Sequence, residues 1–129
     1  MTSQNNSGQQ HQKDDAITIV ATAAIAANRI VGYDGAHATS AAGVHDAQGV
    51  SETAGAVGDA VSLVTEYSYL VECSEAIAFG SYIKPATDGT GRGAVGAANE
   101  HCGRALGATT GEGQLFEMQI VKHQHAPAT

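Results

Sequence analysis

The segment Gly91–Gly96 is the first stretch whose spacing suggests chemistry, because its sequence GRGAVG matches the dinucleotide fingerprint GxGxxG. In proteins that use this fingerprint, the glycines connect a strand to a helix, and the helix N-terminus binds the pyrophosphate. Here an Asp88-Gly89 turn precedes the glycines, and the residues that follow, GAANEH, do not suggest a helix. The chain also contains 16 glycines, so a chance match is expected. We predict no nucleotide cofactor.

Histidine and cysteine residues are the next candidates, since they supply most zinc ligands and many catalytic nucleophiles. His123 and His125 lie two positions apart near the C-terminus, and His101 precedes Cys102, but Cys73 is far from all of them. This spacing does not resemble a zinc site, so we expect surface histidines, two buried thiols rather than a disulfide, and no metal. Distant residues can assemble a Ser-His-Asp or Cys-His set, yet no nucleophile elbow marks one. The chain is therefore predicted not to be an enzyme.

Aromatic residues offer a third possibility, a surface on which a ligand could stack. Tyr67, Tyr69, Phe79 and Tyr82 lie close together in the sequence, in a chain where aromatic residues make up only 5%. A chain so poor in aromatic residues is expected to use them in its core or in subunit contacts.

Charge and composition exclude several classes of partner. The formal net charge is −7, and no cluster of Lys or Arg exists that could bind a nucleic acid backbone. No apolar run is long enough to cross a bilayer, and no signal peptide is recognisable, so we expect a soluble protein made in the cytoplasm. Glycine, Thr and Ser interrupt the Ala-rich segments, which disfavours long helices.

The elements around these residues read as β-strands. The segment Gly58–Pro85 carries the clearest central signal, two runs of period-two alternation separated at Glu66, which we interpret as a turn or a solvent-facing pause. Gln114–Lys122 is the cleanest strand of all. We predict one all-β domain, barrel-like or sandwich-like, with short helical turns at most. Its core is predicted to contain Val61, Leu63, Val71, Ile83, Phe116, Met118 and Ile120.

Three regions are predicted along the chain: an N-terminal arm (1–15), a β domain (16–122) and a C-terminal tail (123–129). The arm is polar and rich in Gln and Asn, so it has little to bury and is expected to order only against a partner or a neighbouring subunit. The alternative is a floppy terminus. The residues predicted to contact a capsid or another subunit are Gln4, Asn5, Asn6, Gln9, Gln10, His11 and Gln12.

A weak internal repeat is also visible. The order Gly43-Val44, an acidic or small loop, Gly58 and the strand Val61–Leu63 is similar to Gly103-Arg104, the loop 110–113 and the strand with Phe116, Met118 and Ile120. Two such copies would form the halves of one small barrel or sandwich.

The order of the segments RIVGYDG, GVHDAQG, GDAVSLV, AIAFGSYI, DGTGR, CGRALG and GQLFEMQIV resembles the capsid cement, or head decoration, proteins of tailed phages. The resemblance covers about 16–121 and lies in the pattern of glycines and strand ends. The resemblance is in particular to one family of these proteins, long described only as a domain of unknown function.

This resemblance implies a structural protein that binds the outside of an expanded phage head at capsomer junctions and stabilises it against internal DNA pressure. The implied partners are the major capsid protein and further copies of the chain, as a homotrimer or alternatively a dimer, with no direct contact to nucleic acid or membrane. The implied location is the outer surface of the virion, after synthesis in the bacterial cytoplasm. A stand-alone ligand-binding or glycan-binding β-module is the alternative function, and a small hydrolase ranks last.

Overall fold

A computed structural model describes residues 13–39 and 46–124 of the chain. Among these residues the fold is all-β, and the strands form one nearly closed, barrel-like sheet, which confirms the predicted fold class. The strands are β1 (Lys13–Val20), β2 (Ile30–Gly32), β3 (Ala47–Ser51), β4 (Ala60–Glu72), β5 (Tyr82–Pro85), β6 (Gly93–Val95), β7 (His101–Ala105) and β8 (Leu115–Gln124). Strands β1 and β8 thus extend beyond both ends of the segment 16–122. No helix in the described ranges is long and apolar enough to span a membrane.

Strand β4 organises the sheet because it pairs with different partners along its length. Its first part pairs antiparallel with β1 and β3, and its second part pairs antiparallel with β8. The change of partner occurs at Glu66 and Tyr67, where Tyr67 adopts a left-handed backbone with φ of 61°. Glu66 is exposed, as predicted, but the two runs of alternation form one strand of 13 residues rather than two strands.

The two parts of β4 divide the fold into two equivalent halves. In half one the strands are ordered β2-β3-β4-β1, and in half two the order is β5-β7-β8-β4, with all pairs antiparallel. Their registers agree: Ile19 faces Val61 in half one as Val71 faces Phe116 in half two. The structure therefore contains a duplication in which β3 and β4 match β7 and β8. The sequence repeat had set Gly43-Val44, which lie outside the described residues, against Gly103-Arg104. The strand registers instead align Gly49 and Val50 with Gly103 and Arg104, because Ser51 faces Leu63 as Ala105 faces Met118.

Four loops, which we call corners one to four, connect the strands of the two halves at 21–29, 52–59, 73–81 and 106–114. Each corner contains one left-handed residue, at Asn28, Gly58, Gly80 and Gly113 respectively. Glycine adopts this backbone without steric cost, and asparagine is the residue that most often replaces it. In the sequence repeat, Gly58 and the loop 110–113 each precede the second strand of their copy.

The corners bind one another in pairs, through the same backbone hydrogen bonds. Ile25 and Gly55 exchange two bonds of 2.8 and 2.9 Å between corners one and two. Ile77 and Thr109 do the same between corners three and four, at 3.3 and 2.9 Å. These reciprocal bonds satisfy backbone groups that the turns would otherwise leave unpaired, so each pair of corners closes one end of its half.

The apolar core repeats with the same symmetry. The cluster of half one has an equivalent for each member in half two, as the strand registers align them. The aligned residues are Ile17 and Tyr69, Ile19 and Val71, Ala21 and Cys73, Ile25 and Ile77, Val31 and Ile83, Val61 and Phe116, and Leu63 and Met118. All the predicted core residues are at most 2% exposed except Ile120, which is half-buried against the cluster.

Candidate interaction surface

The arm residues predicted to contact a capsid or another subunit, Gln4, Asn5, Asn6, Gln9, Gln10, His11 and Gln12, lie outside the described residues. Of the remaining candidates, all but His125 fall within the described ranges.

The GxGxxG segment is explained by packing. It lies in the loop before β6 and in β6 itself, and its glycines approach neighbouring atoms closely. A Cβ at Gly93 would lie 2.9 Å from Cζ of Phe116, and one at Gly96 would lie 2.5 Å from the carbonyl oxygen of Glu100. Gly91 has a φ of 73° and accepts a hydrogen bond from Ile30 N–H at 2.7 Å. Each glycine therefore has a structural reason, and β6 is not followed by the helix that a dinucleotide site requires.

The prediction of a surface histidine is wrong for His123, whose side chain is 2% exposed. Its Nδ1 accepts a hydrogen bond from Ala47 N–H at 2.8 Å, and its Nε2 lies 3.3 Å from a carboxylate oxygen of Glu100. The ring thus connects β8 to β3 and to the loop before β7. His125 lies outside the described residues.

The two cysteines are free and buried, as predicted. Burial raises the pKa of the Cys102 thiol to about 12, and the negative charge of Glu100 adds to the effect. The thiol of Cys73 lies 3.1 Å from the carbonyl oxygen of Gly111. The Cys102 thiol is therefore a poor nucleophile, because the thiolate is the reactive form. Within 13–39 and 46–124, no group of three or more His, Cys, Asp or Glu side chains is arranged to hold a metal.

The four aromatic residues do not form a common ligand-binding strip. Tyr69 packs against the core, whereas Phe79 is 60% exposed on corner three. Tyr82 lies in a separate stack on β5 and β7: the Arg104 guanidinium is 4.2 Å from its ring centre, and the His101 ring is 4.6 Å away. These contacts use Tyr82 within the fold.

Several apolar side chains are exposed, and Phe79 alone among them was a candidate from the sequence. Val57 is 68% exposed and Phe79 is 60% exposed, and both directly precede the left-handed residue of their corner. Val20 at the end of β1 and Tyr33 after β2 are 64% and 65% exposed. The sequence patterns AVG and AFG, each ending in the left-handed glycine of a corner, could have revealed the first two. Exposed apolar side chains on rigid corners are typical of contact surfaces.

A groove lies beside the bend of β4 and encloses about 470 Å³. Ile17, Tyr33 and Ile120 contribute apolar surface to it, and Glu66 lies at the bend itself. The groove is therefore partly apolar and adjoins β1. A second, more polar hollow of about 340 Å³ lies on half two near Glu75 and Asp88. Hydrogen bonds from the Thr90 hydroxyl and backbone N–H lower the pKa of Asp88, which is consistent with a carboxylate that stabilises its turn.

An ion-pair network connects the two halves. Glu72 lies 3.3 Å from Arg29 of corner one and 2.9 Å from Arg92, and Arg92 also lies 3.1 Å from Glu112 of corner four. Arg29 additionally donates a hydrogen bond to the carbonyl of Thr90 at 2.8 Å. These charges hold corner one against half two, so we interpret the network as structural.

Comparison with known proteins supports the fold. No protein-family model matches the chain, and no curated protein matches it. Among solved structures, the chain is similar to the crystal structure of the head fiber gp8.5 N base in bacteriophage phi29, with a TM-score of 0.62 and 16% sequence identity. The match covers 88% of this chain and 98% of that chain. The chain thus has the fold of a phage head fiber domain along nearly the whole of that domain.

Proposed function

We propose that this protein is a non-catalytic structural component of a bacteriophage head, a decoration or cement protein that needs no cofactor. The observation that carries the proposal is the structural match to a head fiber domain, of which 98% is covered. The order of glycines and strand ends independently resembles phage head decoration proteins. The chain would bind the outside of the expanded head at capsomer junctions and stabilise it against internal DNA pressure.

The proposed partners are the major capsid protein and further copies of the chain, as a homotrimer or alternatively a dimer. An oligomer that contacts several capsid subunits at once gains avidity even when each contact is weak. Val57 and Phe79 are suited to such contacts, because their exposed apolar surface lies on corners fixed by backbone hydrogen bonds. A net charge of −7 disfavours contact with the packaged DNA and thus favours the outer surface of the head.

The N-terminal arm is part of the proposal. Its Gln, Asn and Ser side chains can bond to a partner's backbone without burying charge, and each bond contributes roughly 1 kcal/mol. Synthesis in the bacterial cytoplasm agrees with the two unpaired cysteines.

Co-sedimentation with expanded heads tests the function. We expect the full chain to pellet with expanded heads and to remain in the supernatant with unexpanded ones. A variant that lacks residues 2–12 keeps β1 whole, since that strand begins at Lys13. It should melt at the same temperature as the full chain but pellet less.

Two results would contradict the proposal. If the full chain, at saturating concentration, does not pellet with any head, the proposed structural role in the head is wrong. Binding to a glycan array with no binding to heads would instead favour the stand-alone β-module. If the shortened variant binds as well as the full chain, the arm is not a contact and the binding surface lies on the β domain.

A further inference from the structure

The outer edge of β1 has backbone N–H and C=O groups without a hydrogen-bond partner among the described residues. The equivalent groups in half two are hydrogen-bonded. Ala21 N–H donates to the carbonyl of Asp59 at 2.9 Å, which fixes the alternation along the β1–β4 ladder. In an antiparallel pair, alternate residues direct their N–H and C=O groups toward the partner strand. Ile17 and Ile19 therefore bond to β4, whereas Thr18 and Val20 direct theirs to the other side.

In half two the corresponding edge is occupied. The strand equivalent to β1 is the second part of β4, where Leu70 aligns with Thr18 and Glu72 aligns with Val20. Asn28 of corner one bonds there twice: its carbonyl accepts Glu72 N–H at 2.9 Å, and its Nδ2 donates to the carbonyl of Leu70 at 2.9 Å. Among the described residues, neither the carbonyl of Thr18 nor the N–H of Val20 has such a partner.

The surroundings of the two edges are also equivalent. The edge of β1 is therefore accessible to a corner, as the edge of β4 in half two is to corner one. Thr22 N–H donates to the carbonyl of Gly35 at 3.0 Å in half one, as Ser74 N–H donates to the carbonyl of Gly93 at 2.9 Å in half two. The chain that flanks the edge therefore takes the same position in both halves. In half two it leaves room for corner one.

We infer that the outer edge of β1 binds a second copy of this chain, through corner three of that copy. Corner three is the equivalent of corner one, and its Gly80 takes the position of Asn28. The Gly80 carbonyl already accepts Arg104 Nε–H at 2.9 Å and would accept Val20 N–H with its second lone pair, as the Asn28 carbonyl accepts Glu72 N–H within one chain. Gly80 has no side chain to match the Asn28 bond to Leu70, so the backbone bond alone is reproduced. Each subunit would thus join half one to half two of the next, in an arrangement similar to the one that joins the two halves.

The exposed side chains favour this occupant over a purely polar one. Val20 is 64% exposed beside the edge, and Phe79 is 60% exposed on corner three, next to Gly80. The contact would remove both from water. The open stretch 16–20, with the sequence AITIV, has no charge, Pro or Gly, and so lacks the features that usually protect a sheet edge.

The contact is heterologous, because it joins two different surfaces, and three copies can close it into a ring. The inference thereby gives a contact for the oligomer in the proposed function. Its choice of a trimer rests on that proposed function. The contact itself requires no phage head.

Cysteine cross-linking tests the contact. Variants Val20→Cys and Phe79→Cys are treated with a short bismaleimide, separately and as a mixture, and the native chain is the blank because Cys73 and Cys102 are buried. We expect covalent dimers from the mixture and few from either variant alone. Efficient dimers from Val20→Cys alone would show symmetric pairing of two β1 edges and overturn the inference. Absence of cross-links in the mixture would overturn it as well.

Sedimentation velocity of charged variants gives a second readout. Val20→Lys should weaken self-association by about tenfold or more, equivalent to about 1.4 kcal/mol. Leu115→Lys is the control, since Leu115 is 48% exposed on β8 and faces Glu72, on neither β1 nor corner three. Both should melt like the native chain. Equal self-association of the two variants, or a monomeric native chain, would contradict the inference.

Co-sedimentation separates this inference from the proposed function. Oligomers that assemble as described but do not pellet with heads would contradict the role in the head and support the contact. Native chain that binds heads as separate monomers would support the role in the head and contradict the contact.

Discussion

Gly93 and Phe116 provide a sharp test of how half two is closed. Gly93 begins β6, and Phe116 lies in β8 with 2% of its surface exposed. The atoms nearest to a Cβ at Gly93 all belong to side chains: Cζ and Cε1 of Phe116 at 2.9 and 3.1 Å, and Cγ2 of Ile83 at 3.1 Å. Gly93 does not have a positive φ, so Gly93→Ala probes this packing and not backbone strain.

The expected changes in the free energy of unfolding follow from crowding between a side chain at position 93 and Phe116, and from the loss of that crowding when Phe116 is truncated. Gly93→Ala should destabilise by roughly 1–3 kcal/mol, as overpacking does in a rigid core. Phe116→Ala should destabilise by about 3–5 kcal/mol, because it leaves a cavity. In the double variant the methyl group introduced by Gly93→Ala enters that cavity, so its crowding against Phe116 disappears and only the 3.1 Å approach to Cγ2 of Ile83 remains. The double variant should therefore be about as stable as Phe116→Ala alone, which gives a coupling energy of roughly 1–3 kcal/mol.

Urea denaturation of the four chains measures this coupling, and Gly103 provides the control. A Cβ at Gly103 would lie 2.5 Å from Cγ of Met118 but also 2.6 Å from the backbone oxygen of Gln119. Met118→Ala removes only the first contact, so it should not rescue Gly103→Ala. Additive energies for Gly93 and Phe116, within about 0.5 kcal/mol, would show that the two do not meet and refute this packing of β6.

Two further predictions concern corner one. Burial, and then the positive charge of Arg29, lowers the pKa of His37, whose Nε2 accepts Ala26 N–H at 3.1 Å. Below pH 6.5 the unfolded chain binds a proton at this position that the folded chain does not, so the protein loses stability as the pH is lowered. His37→Gln should remove that part of the slope in pH-dependent melts, and an unchanged slope would contradict the lowered pKa. Asn28→Gly should lower the free energy of unfolding by about 1 kcal/mol, because the hydrogen bond to Leu70 is lost. Asn28→Ala should lower it by about 1–2 kcal/mol more, since alanine disfavours a φ of 61°. Equal melting temperatures of the two variants would exclude the backbone contribution.

The sequence predicted those elements in which one face of a strand is buried. The period-two pattern located β8 to within two residues and identified the core positions Phe116 and Met118, because a half-buried strand imposes that alternation. The repeat was visible for a similar reason: left-handed turns require glycine, so Gly58 and Gly113 recur at equivalent positions. The full duplication was hidden because the same position carries Asn28 in corner one.

Long-range polar contacts could not be predicted in this way. Glu117 is 2% exposed although its side chain is polar, because its carboxyl group accepts a 2.5 Å hydrogen bond from the hydroxyl of buried Ser68 on β4. His123 is buried for a similar reason, since it reaches β3 and Glu100 across the fold. A polar residue is placed inside by a partner far along the chain, and the local pattern carries no signal of that partner.

The duplication separates the positions that maintain the fold from those available for recognition. Inside, equivalent positions keep the same character, as Ile25 and Ile77 do, because each half must fill an equivalent core. Outside, the residue before the left-handed one varies, and in the four corners it is Ala27, Val57, Phe79 and Glu112. Such positions can change in size and charge while the backbone bonds between corners persist. Contacts with a head or a second copy would therefore be determined at the corners and at the open edge of β1, where substitution disturbs the core least.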